Sequence, residues 1–339
     1  MQKAVKMPTP KRIIVSRIDS IGDVILTLPM AGWIKKYLPG VEIFFLGSSY
    51  TKDIVECSQH IDLFLNWDSV KDKTIEEQTA FLKNSGADCI IHVFPRNSIA
   101  TVAAKAKIAT RIGTNRKVYH WWSCNKLVNL TRRRSVLHEA QLNLKLCKAL
   151  RIPNTCKREE LHNYYGFSDI KPLTENAKQF LDTTKKNIII HPKSKGSARE
   201  WGMKNFNHLI DLLDKNKFNI IVGGGKNESE IILNELLTFH SEVQNTVGKL
   251  SLSEYISLIT HCDYLVAAST GPLHIAAAAG IKAIGLFPPM RPIFPTRWAP
   301  LGKNATHLVL DKKCNACRKS NQCACIESIS PEQVFQKIN

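Results

Sequence analysis

The sequence lacks the features that would point to a membrane-spanning or secreted protein. It has no run of about 18 uncharged apolar residues, so it predicts no transmembrane helix. Residues 1–10 lack an apolar h-region, so we expect no secretory signal and a cytoplasmic chain. Low-complexity segments and short repeats are also missing. At 339 residues, with 44% hydrophobic residues, the chain is long enough for two globular domains.

Acidic residues are few: 29 Asp and Glu stand against 47 Lys and Arg, a net charge of +18. Residues 1–165 hold 26 basic and 14 acidic residues, a surplus of 12, whereas residues 166–339 hold 21 and 15, a surplus of 6. The N-terminal half therefore favours an acidic partner, which could be nucleic acid, an anionic membrane or an acidic substrate. Three basic clusters stand out there: Lys11-Arg12, Arg116-Lys117 and Arg132-Arg133-Arg134.

Apolar residues follow strand and helix periods in alternation along most of the chain. The first 46 residues hold one such unit: a strand at 12–17, a loop at 19–23, a helix at 24–37 and a strand at 41–46. The alternation continues to residue 150, fails around 153–172 and resumes from 187 to 287. Strands that alternate with helices are typical of parallel sheets. We therefore predict an α/β protein with two doubly wound domains and a ligand cleft between them.

Residues 263–287 form the clearest strand, turn, helix and strand unit of the second half. The turn Ser269-Thr270-Gly271-Pro272 precedes a helix of small residues, with His274 in its first turn. The amino end of a helix carries unpaired N–H groups and a partial positive charge, so this turn is a candidate phosphate site. An ordinary capped helix would have the same sequence.

Three loops at predicted carboxyl ends of strands carry a wider resemblance. They are DSIGD at 19–23, GGGKNE at 223–228 and ASTGPLH at 268–274, and they occur together with His191-Pro192 and REWG at 199–202. In this order and spacing the sequence resembles the heptosyltransferase family, glycosyltransferase family 9, from about residue 12 to the end.

The resemblance implies a GT-B fold, which consists of two Rossmann-like domains. We expect an acceptor-binding domain at 1–165 and a nucleotide-sugar-binding domain at 166–329. Residues 330–339 are expected to form a helix that is a candidate to return to the first domain. The resemblance also implies an inverting transfer of heptose from ADP-heptose to inner-core lipopolysaccharide, without a catalytic metal or cofactor. The protein would act in the cytoplasm, peripheral to the inner membrane and in contact with its leaflet, and we expect no nucleic-acid partner.

In the first domain the resemblance assigns the role of general base to Asp23. An inverting transfer needs one carboxylate that takes the proton of the acceptor hydroxyl. Asp19 is the rival carboxylate, and Asp23 could instead only complement the dipole of the helix that follows. The residues implied in acceptor binding are Ser20, Gly22, Arg96 and Arg111.

In the second domain the resemblance assigns donor binding to three loops. The implied diphosphate site consists of Ser269, Thr270, Gly271, Pro272, Leu273 and His274, with Ser269 where some members have Asp. Glu228 is implied at the nucleotide ribose, although a capping role would explain it nearly as well. Lys193 and Arg199 could neutralise the leaving diphosphate. His274 could also be a histidine that is simply packed in its helix.

Four of the ten cysteines cluster within twelve residues: Cys314, Cys317, Cys323 and Cys325. Four thiolates would suit a structural zinc or iron ion. Reduced thiols without a metal are the alternative, because thiols in the cytoplasm stay mostly reduced.

Two other functions compete with heptose transfer. The first is a glycosyltransferase of the same fold that uses another nucleotide sugar. The second is a basic nucleic-acid-binding protein with a metal at the cysteine cluster, although the sequence has no recognisable readout motif. The pair Trp121-Trp122 could stack bases, but a buried or membrane-facing pair fits better.

Overall fold

The computed structural model of the protein describes residues 9–132, 135–312, 314, 317 and 323–338. The chain forms two compact units. The first ends at Gly166 and the second begins at Phe167, except that Val136–His138 belongs to the second. Arg133 and Arg134 of the basic run, and residues 1–8 of the leader, lie outside the described residues.

The first unit is built on a parallel sheet of six strands. The strands are β1 (Arg12–Ser16), β2 (Glu42–Gly47), β3 (Leu63–Asn66), β4 (Cys89–His92), β5 (Thr110–Thr114) and β6 (Lys126–Val128). Their order is β3-β2-β1-β4-β5-β6, and Ser16 of β1 pairs with His92 of β4. This is the doubly wound order in which ligands bind where the strand order reverses, outside the carboxyl ends of β1 and β4.

Helices cover the first sheet. The α-helices are α1 (Ile21–Ile25), α2 (Leu28–Tyr37), α3 (Lys52–Glu56), α4 (Ile75–Asn84), α5 (Asn97–Lys105), α6 (His120–Ser123) and α7 (Glu139–Leu144). The 3₁₀ helices are Ser49–Thr51, Trp67–Ser69, Lys145–Leu150 and Arg158–Tyr164. The buried strand residues Ile14, Leu46 and Ile90 share one apolar cluster with Ile99 and Val102 of α5, so helix packing fixes the sheet.

The second unit repeats the plan. Its strands are β7 (Lys186–His191), β8 (Phe218–Val222), β9 (Gln244–Asn245), β10 (Tyr264–Ala268), β11 (Lys282–Phe287) and β12 (Thr306–Val309). All are parallel, in the order β12-β11-β10-β7-β8-β9. Read from the other edge, this is the strand order of the first sheet, so the strand order reverses between β7 and β10.

The helices of the second unit vary widely in length. The α-helices are α8 (Glu175–Lys178), α9 (Met203–Leu212), α10 (Ser229–Glu235), α11 (Leu252–Thr260), α12 (Gly271–Ala278), α13 (Pro295–Trp298), α14 (Ala324–Glu327) and α15 (Pro331–Ile338). The 3₁₀ helices are Lys226–Glu228 and Leu237–Phe239. The C-terminal helix α15 packs against α9, and its Val334 and Ile338 join the core of the second unit. From the sequence, residues 330–339 were only a candidate to return to the first domain.

The two doubly wound domains predicted from the sequence are confirmed, and three local differences have physical explanations. The helix predicted at 24–37 is split into α1 and α2, because Pro29 has no N–H to continue the hydrogen-bond ladder. The strands β6 and β12 were not predicted, since three- and four-residue strands carry almost no periodic signal. Within the described residues, no helix combines the length and apolarity needed to cross a bilayer.

Candidate functional site

The predicted site residues lie mostly in loops at the carboxyl edges of the two sheets. In the first unit, the Ser20–Asp23 segment follows β1 and Arg96 follows β4. In the second unit, three loops follow the neighbouring strands β10, β7 and β8. These are the edges where doubly wound domains bind ligands.

Asp23 lies in the first turn of α1, and both oxygens of its carboxylate are engaged. Arg17 Nη2 donates to Oδ1, and Ser20 Oγ donates to Oδ2. Thr27 Oγ1 donates to the Asp23 carbonyl at 2.9 Å, which ties the turn to the start of α2. The Asp23 side chain is 20% exposed, so the carboxylate is both oriented and within reach of a ligand. A general base must meet both conditions.

Arg17 is the centre of a charged cluster that the sequence did not predict. It follows β1 and is almost fully buried. Its guanidinium holds Asp19 in a bidentate pair at 2.8 and 3.0 Å, contacts Asp23, and donates to Glu139 Oε1 at 3.1 Å. Burial disfavours the charge, but the three carboxylates outweigh burial and raise the pKa of Arg17. The guanidinium therefore stays charged.

Asp19 differs from Asp23 in its setting. Burial raises the pKa of Asp19, and the pairing with Arg17 only partly opposes that rise. Both oxygens of Asp19 accept from Arg17, and Tyr50 Oη donates to the Asp19 carbonyl at 2.5 Å. Asp19 is thus held mainly by Arg17, whereas Asp23 has an additional hydroxyl donor.

A second layer, distant in sequence, supports this cluster. Glu139 Oε1 accepts from Arg17 and from Arg132 Nη1, and the Glu139 side chain is 1% exposed. Arg132 Nη2 also donates to Asn143 Oδ1 at 3.0 Å and to the Val93 carbonyl at 3.1 Å. No local feature of the sequence predicts this layer, because Arg17 and Glu139 are 122 positions apart.

The predicted acceptor residues are dispersed. Ser20 and Gly22 precede Asp23 in the same loop, and Arg96 is exposed after β4, stacked on Phe94 at 4.4 Å. Arg111 is instead the second residue of β5, away from its carboxyl end. Its guanidinium donates to the carbonyls of Ser123 and Ile108 at 2.8 and 2.5 Å. Arg111 thus ties β5 to its neighbours, and its role toward an acceptor stays a prediction.

The amino end of α12 presents polar groups that are buried and unsatisfied. Thr270 is the N-cap residue, and Gly271 and Pro272 are the first two residues of the helix. Ser269, Gly271 and Pro272 are half-exposed. Leu273 and His274 are buried behind them. Among the described residues, Thr270 Oγ1 and His274 Nδ1 have no hydrogen-bond partner. Buried polar atoms without partners are rare, so this end of α12 has donors and acceptors to offer a ligand.

His274 is neutral near pH 7. Burial lowers its pKa to about 3, with a smaller contribution from His138. A neutral imidazole can still donate one hydrogen bond to a phosphate oxygen, although it brings no charge.

The loop after β7 holds its basic residues in place with Glu200. Lys193 Nζ pairs with Glu200 Oε2 at 2.5 Å. The other oxygen, Oε1, accepts from the backbone N–H and the hydroxyl of Ser194, both at 3.0 Å. Arg199 Nη2 donates to the carbonyl of Cys317 at 3.4 Å. Lys193 and Arg199 therefore lie in one structured loop.

Glu228 caps two backbone segments. Its Oε1 accepts from Lys195 N at 3.1 Å and its Oε2 from Gly225 N at 2.8 Å. The side chain is buried. Each carboxylate oxygen has two acceptor positions, so the capping leaves room for a ribose hydroxyl, and that predicted role stays a prediction.

Two residues to which no role was assigned from the sequence link two of these loops: His191, which was quoted only as part of a motif, and Tyr255, which was not singled out. His191, the last residue of β7, lies with its Nδ1 3.1 Å from Tyr255 Oη. Burial lowers the pKa of His191 to about 4, with Lys195 as the second cause. A Cβ atom on Gly223 would lie 2.0 Å from Tyr255 Oη, so only glycine allows this approach after β8. The GGG run was the signal that could have shown it.

The cysteine cluster lies beside the predicted donor loop, although it is distant in sequence. The Sγ atoms of Cys314, Cys317 and Cys325 lie within 4.8 Å of one another, and those of Cys323 and Cys317 are 2.8 Å apart. Sulfurs around a tetrahedral ion at a metal–sulfur distance of about 2.3 Å would be about 3.8 Å apart. The thiols of Cys314, Cys317 and Cys325 are thus close enough to share a structural zinc or iron ion, and Cys323, beside Cys317, is the candidate for a fourth ligand.

The chain has two six-stranded sheets with the same doubly wound strand order, and polar loops lie at the carboxyl edge of each. These features define a GT-B type α/β protein. Residues 79–326 match the sequence model of glycosyltransferase family 9 (heptosyltransferase). The chain belongs to this family, and it is a glycosyltransferase.

A curated relative agrees with this assignment, and two solved structures agree with the fold. The chain is 24% identical over 286 residues to the lipopolysaccharide core heptosyltransferase OpsX of Haemophilus influenzae, covering 82% of this chain and 79% of OpsX. A family 9 glycosyltransferase structure from Veillonella parvula superimposes with a TM-score of 0.82 at 19% identity, covering 99% and 98% of the two chains. The E. coli ADP-heptose LPS heptosyltransferase II gives 0.74 at 17% identity, with 97% of each chain covered.

Proposed function

We propose that this enzyme transfers heptose from ADP-heptose to the inner core of lipopolysaccharide, with inversion and without a catalytic metal. We place it in the cytoplasm, peripheral to the inner membrane. The observation that carries the proposal is the amino end of α12. Buried polar groups without hydrogen-bond partners lie there, at a helix terminus that is suited to bind an anion. The names of the relatives, OpsX and heptosyltransferase II, support the donor and the acceptor class.

The donor would bind along the carboxyl edge of the second sheet. Its diphosphate would accept hydrogen bonds from Ser269, Thr270 and the first N–H groups of α12, with His274 as a further donor. Glu228, at the end of the neighbouring β8 loop, would accept from the ribose hydroxyls. The order β10-β7-β8 supports this arrangement, because it sets the three loops side by side.

The acceptor hydroxyl would be activated in the first unit. Asp23 would take its proton while the oxygen attacks the anomeric carbon, and the bond from that carbon to the diphosphate breaks on the opposite face. Arg17 and Ser20 would hold the Asp23 carboxylate throughout. Asp19 remains the second candidate, because the same arginine holds it.

The negative charge on the leaving nucleoside diphosphate would be balanced by protein cations. Arg199 and Lys193 lie in the structured loop after β7 and would serve this purpose, with Lys193 exchanging its Glu200 partner for phosphate. Preorganised cations of this kind stabilise charge that develops in the transition state. The cysteine cluster would hold a structural ion, with its thiols bracing the loop of Arg199 through the Cys317 carbonyl.

Thermal stabilisation by nucleotides tests the donor assignment. ADP, UDP, GDP and CMP are compared on the purified protein, because a ligand at a hundred times its dissociation constant adds about 2.7 kcal/mol. We expect ADP alone to raise the melting temperature, and Thr270→Val to reduce that rise. Stabilisation by UDP or GDP instead would replace the donor, and no shift with any nucleotide would contradict the proposed site.

A further inference from the structure

A group of large apolar side chains is exposed on the first unit, next to the carboxyl end of β5. The exposed fractions are 59% for Val118, 62% for Trp121 and 69% for Trp122. Leu127, on the edge strand β6, is exposed as well. Exposed tryptophans in pairs are unusual on a surface that faces only water. We call Val118, Trp121, Trp122 and Leu127 the tryptophan patch.

The tryptophan patch has a defined structure. Trp121 Nε1 donates to the Asn115 carbonyl at 3.0 Å, and Trp121 N donates to the Val118 carbonyl at 2.9 Å. Asn115 N in turn donates to the Val128 carbonyl of β6 at 3.1 Å. The indole ring is therefore held outward by hydrogen bonds on its polar edge, and its apolar face remains open to a partner.

The sequence segment that carries the patch is basic and has no acidic residue. From Cys89 to His138 the sequence contains ten Lys and Arg residues and no Asp or Glu. Arg116 and Lys117, in the same turn as the patch, are both exposed. Burial raises the pKa of Tyr119, and the positive charge of Arg96 nearby partly opposes that rise. A surface with aromatic side chains among cations and no acids suits an anionic layer with an apolar interior.

The position in the fold connects the patch with the candidate base. In a parallel sheet all carboxyl ends lie at one edge. Residues 115–122 follow β5 at the same edge at which the Ser20–Asp23 segment follows β1. An acceptor that is anchored in a membrane would thus reach Asp23 from the side on which the patch lies.

We propose that the tryptophan patch, with Arg116 and Lys117, is the surface by which the enzyme docks on an anionic membrane leaflet. This deepens the proposed function, because it assumes a lipid-linked acceptor at the membrane. Single-stranded nucleic acid would also bind stacked aromatics and cations. The aliphatic side chains of Val118 and Leu127 favour the membrane, since they have no face on which a base could stack but do partition into lipid.

The test measures binding of the full-length protein to phosphatidylcholine vesicles with and without phosphatidylglycerol. We expect binding only to the anionic vesicles, with a shift of tryptophan fluorescence to shorter wavelength. Trp121→Ser/Trp122→Ser should abolish both signals. Arg116→Gln/Lys117→Gln should weaken binding about 25-fold, since each basic residue near such a surface contributes about fivefold.

The matched control is Phe239→Ser. Phe239 is 69% exposed, as Trp122 is, but it lies in the second unit near the acidic residues Glu235 and Glu242. This variant should bind vesicles as the unaltered protein does. Equal loss in the control, or unaltered vesicle binding by the tryptophan double variant, would overturn the proposal. So would tryptophan-dependent binding to an oligonucleotide without binding to vesicles.

A second readout separates this proposal from the proposed function. The tryptophan variant should keep the stabilisation by ADP and the turnover of a delipidated acceptor, and lose turnover only on acceptor embedded in vesicles. If ADP binding fails in the unaltered protein, the donor assignment is wrong, and vesicle binding still tests the patch.

Discussion

Replacing Glu139 by Gln should destabilise the first unit severely. The Glu139 side chain is 1% exposed, and one of its oxygens accepts from two arginines, Arg17 and Arg132. Glutamine keeps the shape but removes the negative charge between two guanidinium groups and adds an N–H donor there. Removing one partner of a buried ion pair costs about 3–5 kcal/mol. Here Arg132 and Arg17 both lose this carboxylate, although Arg17 keeps Asp19 and Asp23.

The expected change in melting temperature follows from the size of the unit. A domain of this length loses about 2–4 °C per kcal/mol, so the first unit should melt about 6–20 °C lower. Glu42→Gln is the matched control in the same unit. Glu42 pairs with Arg12 at 2.5 Å, but both side chains are 47% exposed. Exposed ion pairs contribute little to stability because water and salt screen them, so this control should melt close to the unaltered protein.

Differential scanning calorimetry measures both variants, and ADP identifies the transition of the second unit by shifting it. If Glu139→Gln melts within the range of the Glu42 control, the charged cluster is not important for stability and the reasoning fails. A double-mutant cycle with Arg132→Gln gives a further check. The two changes should be less than additive, because each removes the same contact.

Two further predictions concern catalysis and pH. Asp23→Asn should keep the stabilisation by ADP and lose about 10²–10⁴-fold in turnover, since one positioned base contributes that much; full activity would move the role to Asp19. Acid should unfold both units early, because burial lowers the pKa of His92 and of His274 to about 3. Below about pH 6.5 the unfolded chain takes up these protons whereas the folded chain does not. The free energy of unfolding therefore decreases as the pH is lowered from about 6.5 to about 3, and at pH 5 the loss is about 2 kcal/mol per histidine. Urea titrations of the unaltered protein and of His92→Gln at pH 7 and pH 5 measure this, and equal acid sensitivity of the two proteins would contradict it.

The fold could be predicted from the sequence because its signals are local. The apolar period changes from strand to helix within each unit, and this pattern indicated two doubly wound domains that the structure confirms. The candidate site segments 20–23, 223–228 and 269–274 could be proposed from the sequence for the same reason, and their roles stay predictions. Each follows a buried strand directly, and a parallel sheet gathers such segments at its carboxyl edge.

What escaped prediction depends on contacts between distant residues. Arg17 and Glu139 are 122 positions apart, and neither residue carries a local sign that it will be buried with an opposite charge. The two short strands β6 and β12 form because a neighbouring strand provides hydrogen-bond partners. Their own sequences carry too little periodic signal to predict a strand. Arg111 could not be told from Arg96 by sequence, yet only Arg111 is tied down by two carbonyls.

The sequence by itself thus determined the alternation of most strands and helices, the loops at the strand ends and the basic character of the first half. Only the tertiary structure decided which charged side chains of the first unit are buried around Arg17 and which remain exposed beside Trp121 and Trp122. It also decided that Cys317 lies against the loop of Arg199. The physical reason is that periodicity and turn chemistry act over a few residues, whereas burial and charge pairing are set by whichever side chains the packed sheets bring together.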